Sequence, residues 1–327
     1  MNQGQRRKFL VAAGGLLAAR LAHAQQSPKV TLGFLSVNTR TSMSARTEAF
    51  QKGLRELGYV EGKNIFVEYR YADANPDRLP ELAAELVRLN VRVIVTEGTT
   101  STRFAKVATS TIPIVMAQDP DPVGTGFVAS LARPGGNITG LSNIRSALSA
   151  KRLEILKEAV PALERLIVLG TLTTPGVGQE LRETELAARK HKVQIRYFDL
   201  KSLQDIDDGF QAATSGRANA VVVLGSPFLL NYRKKVAELA TKNKLPAIYH
   251  STDFVEDGGL MSYSVKITDL FHGAARYVDK ILKGAKPADL PIEQPTKIAL
   301  VINLNAAKQI SLTIPPSLLL RADRVIE

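Results

Sequence analysis

Gly98-Thr99-Thr100-Ser101 sets a glycine and three hydroxyls where an apolar run, Val91–Thr96, gives way to a helical pattern. At such a junction the first backbone N–H groups of the helix lack intrahelical acceptors, and the helix dipole adds partial positive charge. The chemistry this favours is anion binding. No Lys or Arg stands among the four residues, so a carboxylate suits the seat better than a phosphate. Plain N-capping is the competing reading, and for any single hydroxyl it is the stronger one. Gly225-Ser226-Pro227 forms a second junction of the same kind. Ser36, Asp119, Thr171, Ser251, Thr252 and Asp253 stand at similar strand ends. In open α/β sheets, ligands bind outside the carboxyl ends of the strands. An acid among these residues is placed to pair with an ammonium group.

Other chemistries find little support. The chain has no cysteine, which excludes disulfides, thiolate metal sites, Fe–S clusters, a cysteine nucleophile and a lipid-anchored cysteine. His191, His250 and His272 have no partner at metal-ligand spacing, so no metal is expected. His250 ends a strand and is placed to line a cleft, although a lone histidine more often has a packing role. No G-x-S-x-G elbow and no G-x-x-x-x-G-K-[ST] loop occurs. Gly124–Ala129 fits G-x-G-x-x-A, but two prolines separate it from the preceding strand and no acid stands some 20 residues on. Gly135-Gly136-Asn137 is a turn. A catalytic carboxylate pair would be spatial, and nothing in the sequence requires one. No cofactor is expected.

The first 24 residues read as an export signal. Arg6-Arg7-Lys8 is a charged start, Val11–Ala19 a short apolar stretch, and Ala22-His23-Ala24 a small-x-small cleavage site. Arg6-Arg7-x-Phe9-Leu10 also resembles the twin-arginine signal, with Gln5 where Ser or Thr is usual. The apolar stretch is far below the ~20 residues of a membrane span. Removing 24 of 327 residues leaves 303, enough for two domains, and takes away four basic residues, so the formal charge falls from +12 to +8. The lysines lie on helix faces (Lys234, Lys235, Lys242, Lys244; Lys280, Lys283, Lys286) without interleaved aromatics. That describes a solvated face rather than a nucleic-acid surface. A soluble, untethered protein in the periplasm is the expectation.

Strand and helix signals alternate throughout the rest, pointing to parallel sheets with helices on their faces. Strands are expected at Val30–Val37, Ile65–Tyr71, Val91–Thr96, Ile112–Met116, Arg165–Gly170, Val193–Asp199, Ala220–Leu224, Ala247–His250, Leu260–Ser264 and Lys297–Asn303. Between them fall helices, among them Ser44–Leu57, Pro175–Lys192, Phe228–Asn243 and Thr268–Lys283. Asn75-Pro76-Asp77 is a helix start, with a capping side chain, a proline and an acid. Ala117–Ser142 breaks the rhythm with Pro- and Gly-rich loop chemistry, and the first passage between two halves is placed there. One phrase occurs twice: strand, Gly98, helix, Pro113, strand, and later strand, Gly225, helix, Pro246, strand. Two similar α/β halves imply two lobes and a cleft.

Several longer stretches carry a resemblance to a known family. They include Leu57–Ile65 (LGYVEGKNI), Leu79–Ala83 (LPELA), Thr111–Val115 (TIPIV), Asp121–Gly124 (DPVG), Ser130–Gly140 (SLARPGGNITG), Gly258–Tyr263 (GGLMSY), Ile281–Pro295 and Pro315–Asp323. On these the chain resembles the ABC-transporter substrate-binding family related to tryptophan and aromatic amino-acid binding proteins. It departs at Ser264, where glycine is usual, and at Asp119-Pro120. The resemblance implies a type I periplasmic-binding-protein fold: two Rossmann-like lobes, three crossings and hinge closure. The lobes are assigned to residues 28–142 plus about 265–290, and to 143–264 plus about 291–327. It implies a monomer without enzymatic activity that captures a small solute and delivers it to a membrane permease driven by an ATPase. By analogy a carboxylate sits at Thr99–Ser101. Two other readings stand beside transport: a periplasmic sensor whose closed form meets a receptor, and an α/β enzyme.

Overall fold

The computed structural model describes residues 30–327, so the export signal assigned to residues 1–24 lies outside the described residues. The alternating elements build two sheets. The first has five strands in the order β2-β1-β3-β4-β5. These are β1 Val30–Ser36, β2 Ile65–Tyr71, β3 Val93–Glu97, β4 Ile114–Gln118 and β5 Ile138–Gly140. All are paired in parallel. Helices α1 Arg40–Glu56, α2 Leu79–Arg88 and α3 Gly98–Ala108 connect them.

The second sheet has seven strands in the order β12-β11-β10-β9-β8-β6-β7. They are β6 Arg165–Gly170, β7 Gln194–Asp199, β8 Ala220–Val223, β9 Ala247–Tyr249, β10 Met261–Val265, β11 Ile298–Asn303 and β12 Arg324–Ile326. Its helices are α4 Ser149–Ala159, α5 Val177–Lys190, α6 Leu203–Ser215, α7 Pro227–Asn231, α8 Arg233–Lys242, α9 Asp253–Glu256, α11 Leu304–Gln309 and α12 Pro316–Arg321. Among the described residues only β10 and β11 pair antiparallel. Between them α10, Ile267–Leu282, returns to the first sheet and packs along α1. The chain therefore passes between the two lobes three times: after β5, after β10 and after α10.

Strands covered on both faces read as continuous apolar runs, and the two sides of each pleat feed separate cores. Leu32 and Phe34 face the cluster under α1 and α10, while Leu35 and Val37 join that under α2 and α3. In the second sheet Leu166 and Val168 pack with α4 and α5, and Ile167 and Leu169 with α6 and α8. Phe34, Phe50 and Phe271 are fully buried, each contributing roughly 1.5–3 kcal/mol.

Local signals account for most boundaries. Thr39 caps α1 by accepting from the Ser42 N–H, and Ser202 with Asp205 forms a capping box on α6. Asn75 caps as expected, but the turn it starts is 3-10, Pro76–Arg78, and leads into α2. Two expectations need correction. The segment Ala117–Ser142 contains β5, a three-residue edge strand too short to display alternation. The helix expected over Phe228–Asn243 breaks at Tyr232 into α7 and α8.

Candidate ligand-binding cleft

The strand orders locate the site. In each sheet the order reverses once, between β1 and β3 and between β6 and β8, and a crevice opens at such a switch point beyond the strands' carboxyl ends. The two crevices face each other across one cavity of about 680 Å³, counting its opening to solvent. The first lobe contributes Val37 after β1, Glu97–Thr100 from the end of β3 into α3, Gln118 at the end of β4 with Pro120 beyond it, and Arg46 from α1. The second contributes Thr174, Pro175, Ser226, Pro227 and Leu230, with His250 and Ser251 after β9. The first two passages between lobes supply Asn143 and Arg145, then Val265 and Ile267, and Arg152 comes from α4.

The hydroxyls around α3 have different tasks. Thr99 donates to Asp119 Oδ2 at 2.7 Å, and the Ser101 hydroxyl accepts from the Val37 N–H at 3.0 Å. Ser36 accepts from the Asn38 N–H and donates to Glu97. No side chain caps α3, and Gly98, Thr99 and Thr100 of its first turn line the cavity. Gly98, at φ +76°, allows the sharp turn there. The second junction is different: Ser226 accepts from the Leu229 N–H as an ordinary cap and donates to Thr171, whose hydroxyl donates to the Leu200 carbonyl. Ser251 donates to Asp253 Oδ2. Of the residues singled out in the sequence, Gly98, Thr99, Thr100, Ser226, Pro227, His250 and Ser251 line the cavity. Ser36, Ser101, Asp119, Thr171 and Asp253 stand one layer back, bonded to residues that line it or to the backbone behind it.

Charged groups the sequence did not single out form much of the wall. Glu97, the last residue of β3, is buried beneath the switch point. It accepts from Asn38 Nδ2 at 2.8 Å, Gln118 Nε2 at 3.0 Å and the Ser36 hydroxyl at 3.3 Å. Burial raises its carboxyl above the ordinary range, opposed by Arg46 and by the three donors. Arg145 donates from Nε to Glu180 Oε1 at 2.5 Å, and its guanidinium lies against the α-carbon of Gly225. Among the described residues its two terminal nitrogens find no acceptor, which leaves them available to the cavity it lines. Arg152, fully buried, donates to the carbonyls of Tyr263 and Arg145. Burial lowers it to about 10, with Glu180 pulling the other way, so it is still a cation at neutral pH. His250 is held well below its ordinary value by burial first and then by Arg145, Arg152 and Arg46, which keeps its ring neutral. Glu97 carried a signal: it sits between a strand and a Gly. Arg145 carried none, because a passage between lobes brings it to the site.

Among the described residues no group of His, Cys, Asp or Glu is arranged to hold a metal ion, and no helix is long and apolar enough to cross a membrane.

Two doubly wound lobes, joined by three passages and closed over a cavity at both switch points, define the type I periplasmic-binding-protein fold. The chain belongs to the ABC transporter substrate binding protein family, which it matches over residues 34–326. A tyrosine-binding protein of Clostridioides difficile (strain R20291) is 24% identical over 283 residues, covering 86% of this chain and 81% of that protein. Among solved structures, a conserved domain protein from Vibrio cholerae superposes with TM-score 0.85 at 27% identity, over 91% of this chain and 99% of that one. An ABC domain from Streptococcus pneumonia in complex with L-Trp gives TM-score 0.84 at 26% identity, over 91% and 100%.

Proposed function

We propose that this protein is the exported solute-binding component of an ABC importer and that its cleft takes an α-amino acid, held by its carboxylate and ammonium groups and delivered to a permease. The observation that carries this reading is the adjacency of Glu97 to the uncapped start of α3. The cation-seeking group and the anion-seeking N–H groups are consecutive in the chain, so the two seats are a few ångströms apart. An α-amino acid carries its two charges on one carbon. Arg145 completes the anion seat with two free donors of a planar fork, the geometry that suits a carboxylate. Glu97 pays a desolvation penalty when ionised, and an ammonium beside it offsets that penalty. Pro120, Pro175, Pro227, Leu230, Val265 and Ile267 shelter what remains of the ligand. The binding of tyrosine and of L-Trp by relatives supports an amino acid, and the family supports delivery to a membrane transporter.

A thermal-shift screen of amino acids and simple carboxylic acids tests the reading. A ligand at 100 times its dissociation constant adds about 2.7 kcal/mol of stability. Arg145→Gln should weaken the best amino acid tenfold or more, since a hydrogen bond to a charged group contributes about 1.5–3 kcal/mol. Thr100→Ala should weaken it by less, and neither should abolish folding. The proposal fails if no amino acid shifts the melting temperature, or if Arg145→Gln binds as the native protein does.

A further inference from the structure

Beside the groups that face the cavity, a set of side chains bonds one lobe directly to the other. Asn231, the last residue of α7 in the second lobe, reaches the start of α1 in the first. Its Oδ1 accepts from the Ser42 hydroxyl at 2.7 Å and, more weakly, from the Thr39 N–H at 3.4 Å. Its Nδ2 donates to Asn38 Oδ1 at 3.1 Å. A second bridge joins Arg46 of α1 to Asp253 at the start of α9, Nη2 to Oδ2, at 2.5 Å. The Arg46 side chain is 4% exposed and that of Asp253 27%, so the pair is largely shielded from solvent.

Both bridges are wired to the cavity wall. The amide of Asn38 donates to Glu97, so only its oxygen is left to face Asn231 and the orientation of the bridge is set by a cavity-lining carboxyl. Asp253 Oδ2 also accepts from Ser251, another lining residue. The break between α7 and α8 at Tyr232 ends α7 where Asn231 can reach across. None of Asn231, Ser42, Thr39 or Asp253 lines the cavity.

We propose that Asn231 with Asn38 and Ser42, and Arg46 with Asp253, form a latch that closes the cleft without a ligand. An empty protein then samples the closed form, and a ligand adds to a population that already exists rather than creating it. Contacts between lobes that no ligand mediates are differential interactions favouring the closed state, and that is what such a population requires. The latch acts in the unliganded protein, whatever the solute.

The absence of cysteine makes the test direct, because two introduced cysteines take spin labels at those positions alone. Val123→Cys and Leu172→Cys put one label on each lobe at exposed sites near the strands' carboxyl ends. Electron–electron double resonance on the empty protein should show a short-distance population. Asn231→Ala should deplete that population several-fold, and Asn231→Asp, which removes the donor facing Asn38, should do the same. If Asn231→Ala proves unstable, Asp253→Asn tests the second bridge. A native distribution containing only long distances, or variant distributions that match the native one, would overturn the latch.

Discussion

Gly98 and Gly225 hold the same place in the repeated phrase, yet they are glycine for unlike reasons. Gly98 needs its positive φ; Gly225 needs the space. A Cβ there would collide with both Cζ and Nε of Arg145, so the guanidinium can rest on the backbone only if the side chain is hydrogen. Gly225→Ala should therefore displace Arg145 and weaken amino-acid binding as Arg145→Gln does, with little further loss in the double variant. Isothermal titration of the three proteins checks this, and fully additive losses would show that the two residues do not act together. Asp119 gives a second test. Burial pushes its carboxyl from 3.8 up to about 6, against Thr99, the Asp121 N–H and Arg145. A folded-state pKa above the unfolded one means stability that is present below about pH 4 and lost as the pH rises through about 6. The raise corresponds to roughly 3 kcal/mol at most. Compared with the native protein, Asp119→Asn should thus gain stability by up to that amount between about pH 4 and pH 7. Urea unfolding across that range decides it; a pH-independent difference between the two proteins would refute the assignment.

At the scale of elements, the cleft depends on where helices begin and strands end. Gly176 stands at the N-cap of α5 with φ +87°, and a Cβ there would meet Cγ of Pro120, on the other lobe, at 2.9 Å. Gly176→Ala should cost about 1 kcal/mol through backbone strain and also hold the lobes apart, weakening ligand binding. Adding Pro120→Ala should restore the affinity but not the melting temperature. Recovery of both, or of neither, would show that a wedge is not the cause. The elements themselves were legible where a local cause acts. Ile65–Tyr71 and Arg165–Gly170 have the bounds expected for them, and α4 starts at the expected Ser149. β5 and β12 were hidden because three residues cannot show a period, whereas the equally short β9 was legible through the repeated phrase that runs from Pro246 into a strand; the α7–α8 break was hidden because nothing in its local sequence marks it. The hydroxyl-rich turn at Thr99–Ser101 was visible as a helix start, but which hydroxyl is free was not. Thr99 and Ser101 are bonded to Asp119 and Val37, partners distant in sequence.

The whole molecule sets the remaining properties, because closure brings together groups that belong to different lobes. Arg46 meets Asp253 across 207 positions, and Asn38 meets Asn231 across 193. Three passages of the chain make each lobe from separate stretches and allow the two to move about a hinge. By itself the sequence determined the alternating elements, the two similar halves, the lack of any thiol chemistry and the helix start that faces the cleft. Each of these comes from period, composition or a turn that acts over a few residues. Only the tertiary structure decided that Glu97 and Arg145 line one cavity, that Ser226 is a cap while α3 is left uncapped, and that Asn231 bonds one lobe to the other. Those assignments depend on which distant group satisfies each buried donor and acceptor, and that is settled only when both sheets are formed and the cleft is closed.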